Sequence, residues 1–132
     1  MTTRIIVRHN ENRLAGTRDC LDTGTGNATI ELWEGTRPEG IEGAVGAGTL
    51  VGVITLTKPC GSIATGILTP AVVSDTVAVA SGTPNYALWK DGNGAVVMDT
   101  DAGSLVSSAE VKISPSTVAA GSTVHLLSAA IG

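Results

Sequence analysis

The stretch from Asn85 to Asp99 constrains the fold more than any other, because two strand-like runs flank four turn residues, Asp91-Gly92-Asn93-Gly94. Tyr86, Leu88 and Lys90 alternate with Ala87 and Trp89 before the turn, and Val96 and Met98 alternate with Val97 after it. Four residues between strands favour a type I turn closed by a residue at positive φ, a place Gly94 takes without steric cost. Elsewhere short runs of Val, Ile, Leu, Thr and Ala are cut by Gly, Pro, Asn or Asp, at the spacing of about 8 to 12 residues typical of sandwiches and barrels. The expectation is an all-β chain: a single β-sandwich, jelly-roll or immunoglobulin-like, of about eight short strands with a short N-terminal helix or arm.

At 132 residues the chain suits one domain, with 1–25 as a basic arm or helix and 28–132 as the sandwich body. His9 to Leu21 is the one helical stretch, with Leu14, Arg18 and Leu21 on a common face, Asn10 or Asn12 as its cap, and Gly24 as its stop. Thr2 to Arg8 before it reads as an extended arm or edge strand. Thr29 to Glu34 alternates, with Ile30 and Leu32 on an oily face opposite Glu31 and Trp33. Thr36 to Gly48, with Pro38, Glu39 and Glu42, reads as a surface loop. Leu50 to Thr57 follows as a strand with a bulge at Gly52, and Lys58-Pro59-Cys60-Gly61 as a turn. Ile63 to Leu68, Val72 to Val79, the hairpin, Glu110 to Ser114 and Thr123 to Leu127 complete the strands, with Thr100 to Ser108 as a loop.

Aromatic residues make up 2% and Phe is absent, so Trp33, Tyr86 and Trp89 are the only large pieces of an otherwise aliphatic core. Each buried aliphatic side chain contributes about 1.5 to 3 kcal/mol, and a core so poor in aromatics predicts modest stability in isolation and a gain from assembly. The formal charge of −4 argues against direct nucleic-acid binding. Its distribution is uneven: Arg4, Arg8, Arg13 and Arg18 crowd the first twenty residues, while Thr36 to Gly132 carries four basic residues against seven acids. A basic start suits docking onto an acidic protein surface, and equally a solvated helix face with ion pairs.

Cys20 and Cys60 are too few for a disulfide scaffold and read as two small buried hydrophobes of a chain that folds in a reducing cytoplasm. Met1 to Asn10 offers only Ile5-Ile6-Val7 as an apolar run, short of a secretory signal. No stretch approaches the roughly 20 apolar residues of a membrane span. The expected chain has no membrane partner and is made in the cytoplasm.

Reactive constellations fail one by one. Neither His9 nor His125 has a Ser or Cys in a recognised nucleophile motif, and His125 sits in an alternating strand. Asp99-Thr100-Asp101-Ala102-Gly103 with Glu110 imitates a calcium loop but places Ser104 where glycine is required, and Gly103 has no ligand to offer. Gly24-Thr25-Gly26 and Gly46-Ala47-Gly48 lack the Lys or helix start of a phosphate cradle. We therefore expect no enzyme, no cofactor and no metal. Trp33 and Trp89 would form a sugar platform only if exposed on one face, and a core role is the competing reading.

Several of these segments together carry a likeness. They are the helix ending in Asp22-Thr23-Gly24, the strand Ile30-Glu31-Leu32-Trp33-Glu34-Gly35-Thr36-Arg37-Pro38, Leu50 to Leu56 followed by Pro59, the hairpin ending in Val96-Val97-Met98-Asp99, and Gly121-Ser122-Thr123-Val124. In this order they resemble small virion structural proteins of tailed bacteriophages. The chain departs from that pattern at Cys60, where an aromatic often follows the proline, and in its Arg-rich start. The resemblance implies a capsid decoration or cement protein on the virion surface, present in many copies as a dimer or trimer, with the major capsid protein as partner. Its candidate shell contacts are Arg4, Arg8, Arg13, Arg18, Arg37, Glu39 and Glu42. The rival readings are a tail or head-fibre component and a carbohydrate-binding β-sandwich.

Overall fold

A computed structural model describes residues 4–42 and 45–132. One helix, α1 (Val7–Leu21), precedes eight strands: β1 (Thr29–Glu34), β2 (Thr49–Ala64), β3 (Ile67–Val72), β4 (Thr76–Val77), β5 (Tyr86–Lys90), β6 (Val96–Gly103), β7 (Val111–Ser114) and β8 (Thr123–Ser128). They form one sheet in the order β3-β2-β1-β5-β6-β7-β8-β4, antiparallel except for the short β6–β7 pair. The chain is thus mostly β with one helix, but the expected two-layer sandwich is replaced by a single mixed sheet curled into a half-barrel. The curl brings the segment around β4 back beside the first half of β2, where the Val79 N–H donates to Val51 O at 2.8 Å and the Val73 N–H to Thr55 O at 3.0 Å. Closing a sheet on itself covers its oily face without a second layer.

The hairpin forms as its residues dictate. β5 pairs with β6 around a turn in which the Gly94 N–H donates to Asp91 O and Gly94 takes φ 84°. The Asp91 carboxylate caps the turn by accepting from the N–H groups of Asn93 and Ala95. Ile30, Leu32, Ala87 and Trp89 point to the concave side, where they join Ile54, Val111, Ile113 and Val124 in the core. Leu32 faces Gly52 while Trp33 faces Leu50, which is the expected bulge.

Other boundaries move. Lys58-Pro59-Cys60-Gly61 does not turn the chain: β2 runs through it, pairing with β1 before and β3 after, and the register slips between Leu56 and Gly61. The expected strand Ile63 to Leu68 is split by a tight turn at Thr65 and Gly66, both at positive φ. Of Val72 to Val79 only Thr76–Val77 is a strand beyond the end of β3, and β6 extends into the expected loop as far as Gly103. Helix α1 starts at Val7, so the extended arm is confined to its described residues 4–6, and Thr2 and Thr3 lie outside the described residues. Neither Asn10 nor Asn12 caps the helix: Ile6 holds the cap position without a side-chain bond. Asn10 instead donates to Gly66 O at 3.0 Å, and the Gly66 N–H donates to Glu11 at 3.2 Å, tying the helix start to the β2–β3 turn. Leu14 and Leu21 are buried beneath the helix, and Gly24 beyond it takes φ 93°.

Candidate functional site: a basic amino end and a strapped acidic face

The arginines of the amino end divide by position. Arg4 and Arg8 join Ile5, Ile6, His9 and Asn12 around an open hollow of about 440 Å³. Ile5, Ile6 and Val7 are themselves exposed, at 42%, 63% and 58%, so cationic and aliphatic groups are offered together. Arg13 is exposed one turn further on and Arg18 is half-buried. Arg4 and Arg8 therefore share one accessible surface, while Arg13, five residues beyond Arg8 on the helix, points about 140° away from it.

Arg37 lies apart from them. Its guanidinium forks between two β6 carboxylates, with Nε 2.8 Å from Asp99 and Nη1 2.7 Å from Asp101. The hydrogen bond to Asp99, reinforced by the Asp99 and Asp101 charges, raises the guanidinium pKa, and the same bond holds the Asp99 carboxyl below the usual aspartate range. Arg37 thereby fastens the loop after β1 across the convex face of the sheet. Glu39 and Glu42 on that loop are exposed.

Beneath the loop lies a network on the outward positions of β1 and β5. The Trp33 ring stacks on Tyr86 with centroids 6.4 Å apart and planes 11° from parallel. Glu31 accepts from Trp33 Nε1 at 3.2 Å and from Lys90 Nζ at 3.0 Å. The Tyr86 hydroxyl both donates to Ala47 O and accepts from the Ala47 N–H, each at 2.9 Å. Asn85 completes the clasp by exchanging two hydrogen bonds with the Gly35 backbone. Gly48, at φ 102°, sits where a Cβ would strike the Glu34 carbonyl. None of these pairings was foreseen; the signal was the shared outward parity of Glu31, Trp33, Tyr86, Leu88 and Lys90, which becomes informative only once β1 is known to lie beside β5.

The sugar platform does not form. Trp89 is fully buried on the concave side, its Nε1 donating to Thr100 Oγ1 at 3.0 Å, while Trp33 lies on the opposite face under Gly46. Cys60 is buried and Cys20 exposed, both free, so the expectation of two buried thiols holds only for Cys60. Burial pushes the Cys60 thiol up to about 11. His125 is an exposed residue of β8, paired with Asp75 at 3.0 Å. Among the described residues no group of three or more His, Cys, Asp or Glu side chains is arranged to hold a metal, and no helix is long and apolar enough to cross a membrane. Comparison with protein-family models, with curated proteins and with solved structures finds no match.

Proposed function

We propose that the chain is a phage virion structural protein, a capsid decoration or cement protein that binds the outer shell through its basic amino end. The observation that carries this reading is the exposed surface of Arg4 and Arg8 with Ile5, Ile6 and Val7. Desolvated aliphatic side chains supply affinity, and the neighbouring arginines select an acidic partner and speed encounter. A major capsid protein presents such a site many times over, so a small module with an aliphatic core gains stability on every site it occupies. Glu39 and Glu42 supply a second contact of opposite charge. Arg37 serves that contact indirectly, by holding the loop that carries them.

The test is occupancy on purified capsids. Arg4→Glu with Arg8→Glu changes exposed side chains and leaves Leu14 and Leu21 in place, whereas truncation through Arg18 would strip a packed helix. We expect copies per capsid to fall at least tenfold. Unchanged occupancy would exclude the amino end as the contact, and copies confined to the tail would favour the fibre reading.

A further inference from the structure

We propose that Asn93 is a site of spontaneous covalent modification, at which the Gly94 backbone nitrogen displaces ammonia from the Asn93 carboxamide through a succinimide. The chain has five asparagines, Asn10, Asn12, Asn27, Asn85 and Asn93, and the structure separates the last from the rest. Asn10 and Asn12 lie in α1, where the helix ladder holds the N–H of the following residue. Asn27 donates its amide to Leu56 O at 2.8 Å and precedes the buried Ala28. Asn85 is clasped to the Gly35 backbone by two hydrogen bonds and precedes the buried Tyr86. Asn93 is exposed in the β5–β6 turn; among the described residues its backbone N–H is bonded, to Asp91, but its carboxamide is not. Its successor is an exposed glycine around which a Cβ would meet nothing within 4 Å, so no side chain shields the attacking nitrogen. The Gly94 N–H donates to Asp91 O at 3.0 Å, a restraint at an exposed turn, where local opening costs least.

The chemistry needs only solvent. A base from the buffer takes the Gly94 amide proton, the nitrogen attacks Asn93 Cγ, the Cγ–Nδ2 bond breaks, and ammonia leaves with a proton from water. Water then adds to one of the two ring carbonyls. Opening on one side gives aspartate with the original main chain, and opening on the other gives isoaspartate, whose main chain runs through the former side chain. One water is consumed, one ammonia is released and one negative charge is gained; nothing is oxidised or reduced. Either product falls where the hairpin is packed against the link from α1 to β1. The Gly92 N–H donates to Thr23 O at 2.8 Å, and a Cβ at Gly24 would strike Asn93 Oδ1. The new carboxylate stands two residues from Asp91, whose own carboxylate accepts the Asn93 N–H. The extra main-chain atom of isoaspartate moves Gly94 from the place where, at φ 84°, it closes the turn, so the modified hairpin sits less firmly on its neighbour.

Incubation of the folded full chain in mildly alkaline buffer, followed by intact-mass measurement and peptide mapping, tests this directly. We expect the mass gain of one amide becoming an acid, located at Asn93, at least tenfold faster than at any other asparagine, with isoaspartate among the products. Asn93→Ser should abolish that gain, and Gly94→Ala, which places a methyl group beside the attacking nitrogen, should slow it at least tenfold. Near-UV circular dichroism of the buried Trp89 checks that each variant is folded, and the serine variant, which leaves Gly94 in place, keeps the test decisive if the alanine variant is not. The converted chain should unfold at a lower urea concentration than the fresh one. No conversion at Asn93 while the urea-unfolded chain converts there, earlier conversion at another asparagine, or aspartate without isoaspartate would each overturn the proposal. An unchanged urea midpoint would overturn its structural consequence. The outcome does not depend on what the amino end binds.

Discussion

Thr100 is a buried polar side chain, and its hydroxyl accepts from the indole N–H of Trp89, the largest fully buried side chain. An indole N–H in an aliphatic core has no water to turn to, so Thr100→Val should destabilise the fold by about 1 to 3 kcal/mol, the penalty of an orphaned buried donor. A urea titration followed by Trp fluorescence measures it. Cys60 is the opposite case, a side chain made inert by burial. With its thiol pushed up to about 11 it stays protonated at neutral pH, so iodoacetamide should modify one cysteine, Cys20, in the native chain and two after denaturation, as counted by mass spectrometry. Asp99 is charge-controlled. Its folded pKa lies below its unfolded value, so its contribution is complete above the ordinary aspartate range, about 4, and disappears as pH falls through the folded value. Because Arg37 is 39% exposed, solvent screening limits the Asp99 pair to about 1 kcal/mol or less. Asp99→Asn should therefore lower stability by about that much at neutral pH and not at all in strong acid, measured by denaturant titration at several pH values.

At the scale of elements, the convex-face loop behaves as a strap with three fastenings, at Asn85, at Tyr86 and at the Asp99–Asp101 pair. Gly46 is its point of closest approach, since a Cβ there would enter the Trp33 ring. Gly46→Ala should lift the strap, expose Trp33 and red-shift its emission, with a loss of about 1 to 3 kcal/mol typical of overpacking. The sequence made β1 and the hairpin legible because each has strict alternation and its own turn chemistry, Gly35 after β1 and Asp91 to Gly94 within the hairpin. It concealed β2, whose pairing partner changes midway, so Pro59 falls at the change of partner rather than at an end. It concealed the single layer for a related reason. Alternation reports that a strand has one buried face, not whether the cover is another sheet or the same sheet curled back. The arginine surface of the amino end was visible as composition, whereas the fork at Arg37 joins residues more than sixty positions apart and needed the topology.

For the whole molecule, the division of charge coincides with a division of structure. Four arginines against Glu11 give the first eighteen residues a charge of +3, so a chain of net −4 carries −7 over the remainder. The basic part is not a loose appendage, because α1 lies against β2 and β3 and its Leu21 belongs to the same core as Trp89. The proposed binding at the amino end would thereby be coupled to the stability of the fold, and two variants separate the two contributions. Leu21→Ala removes a fully buried side chain and should cost about 2 to 5 kcal/mol, reducing capsid occupancy only where the unfolded fraction becomes appreciable. Arg4→Glu with Arg8→Glu should leave the urea midpoint nearly unchanged while reducing occupancy under every condition, more so at low salt, where surface charges are least screened. If occupancy in both variants instead tracks the folded fraction alone, the amino end stabilises the body and the shell contact lies on another face.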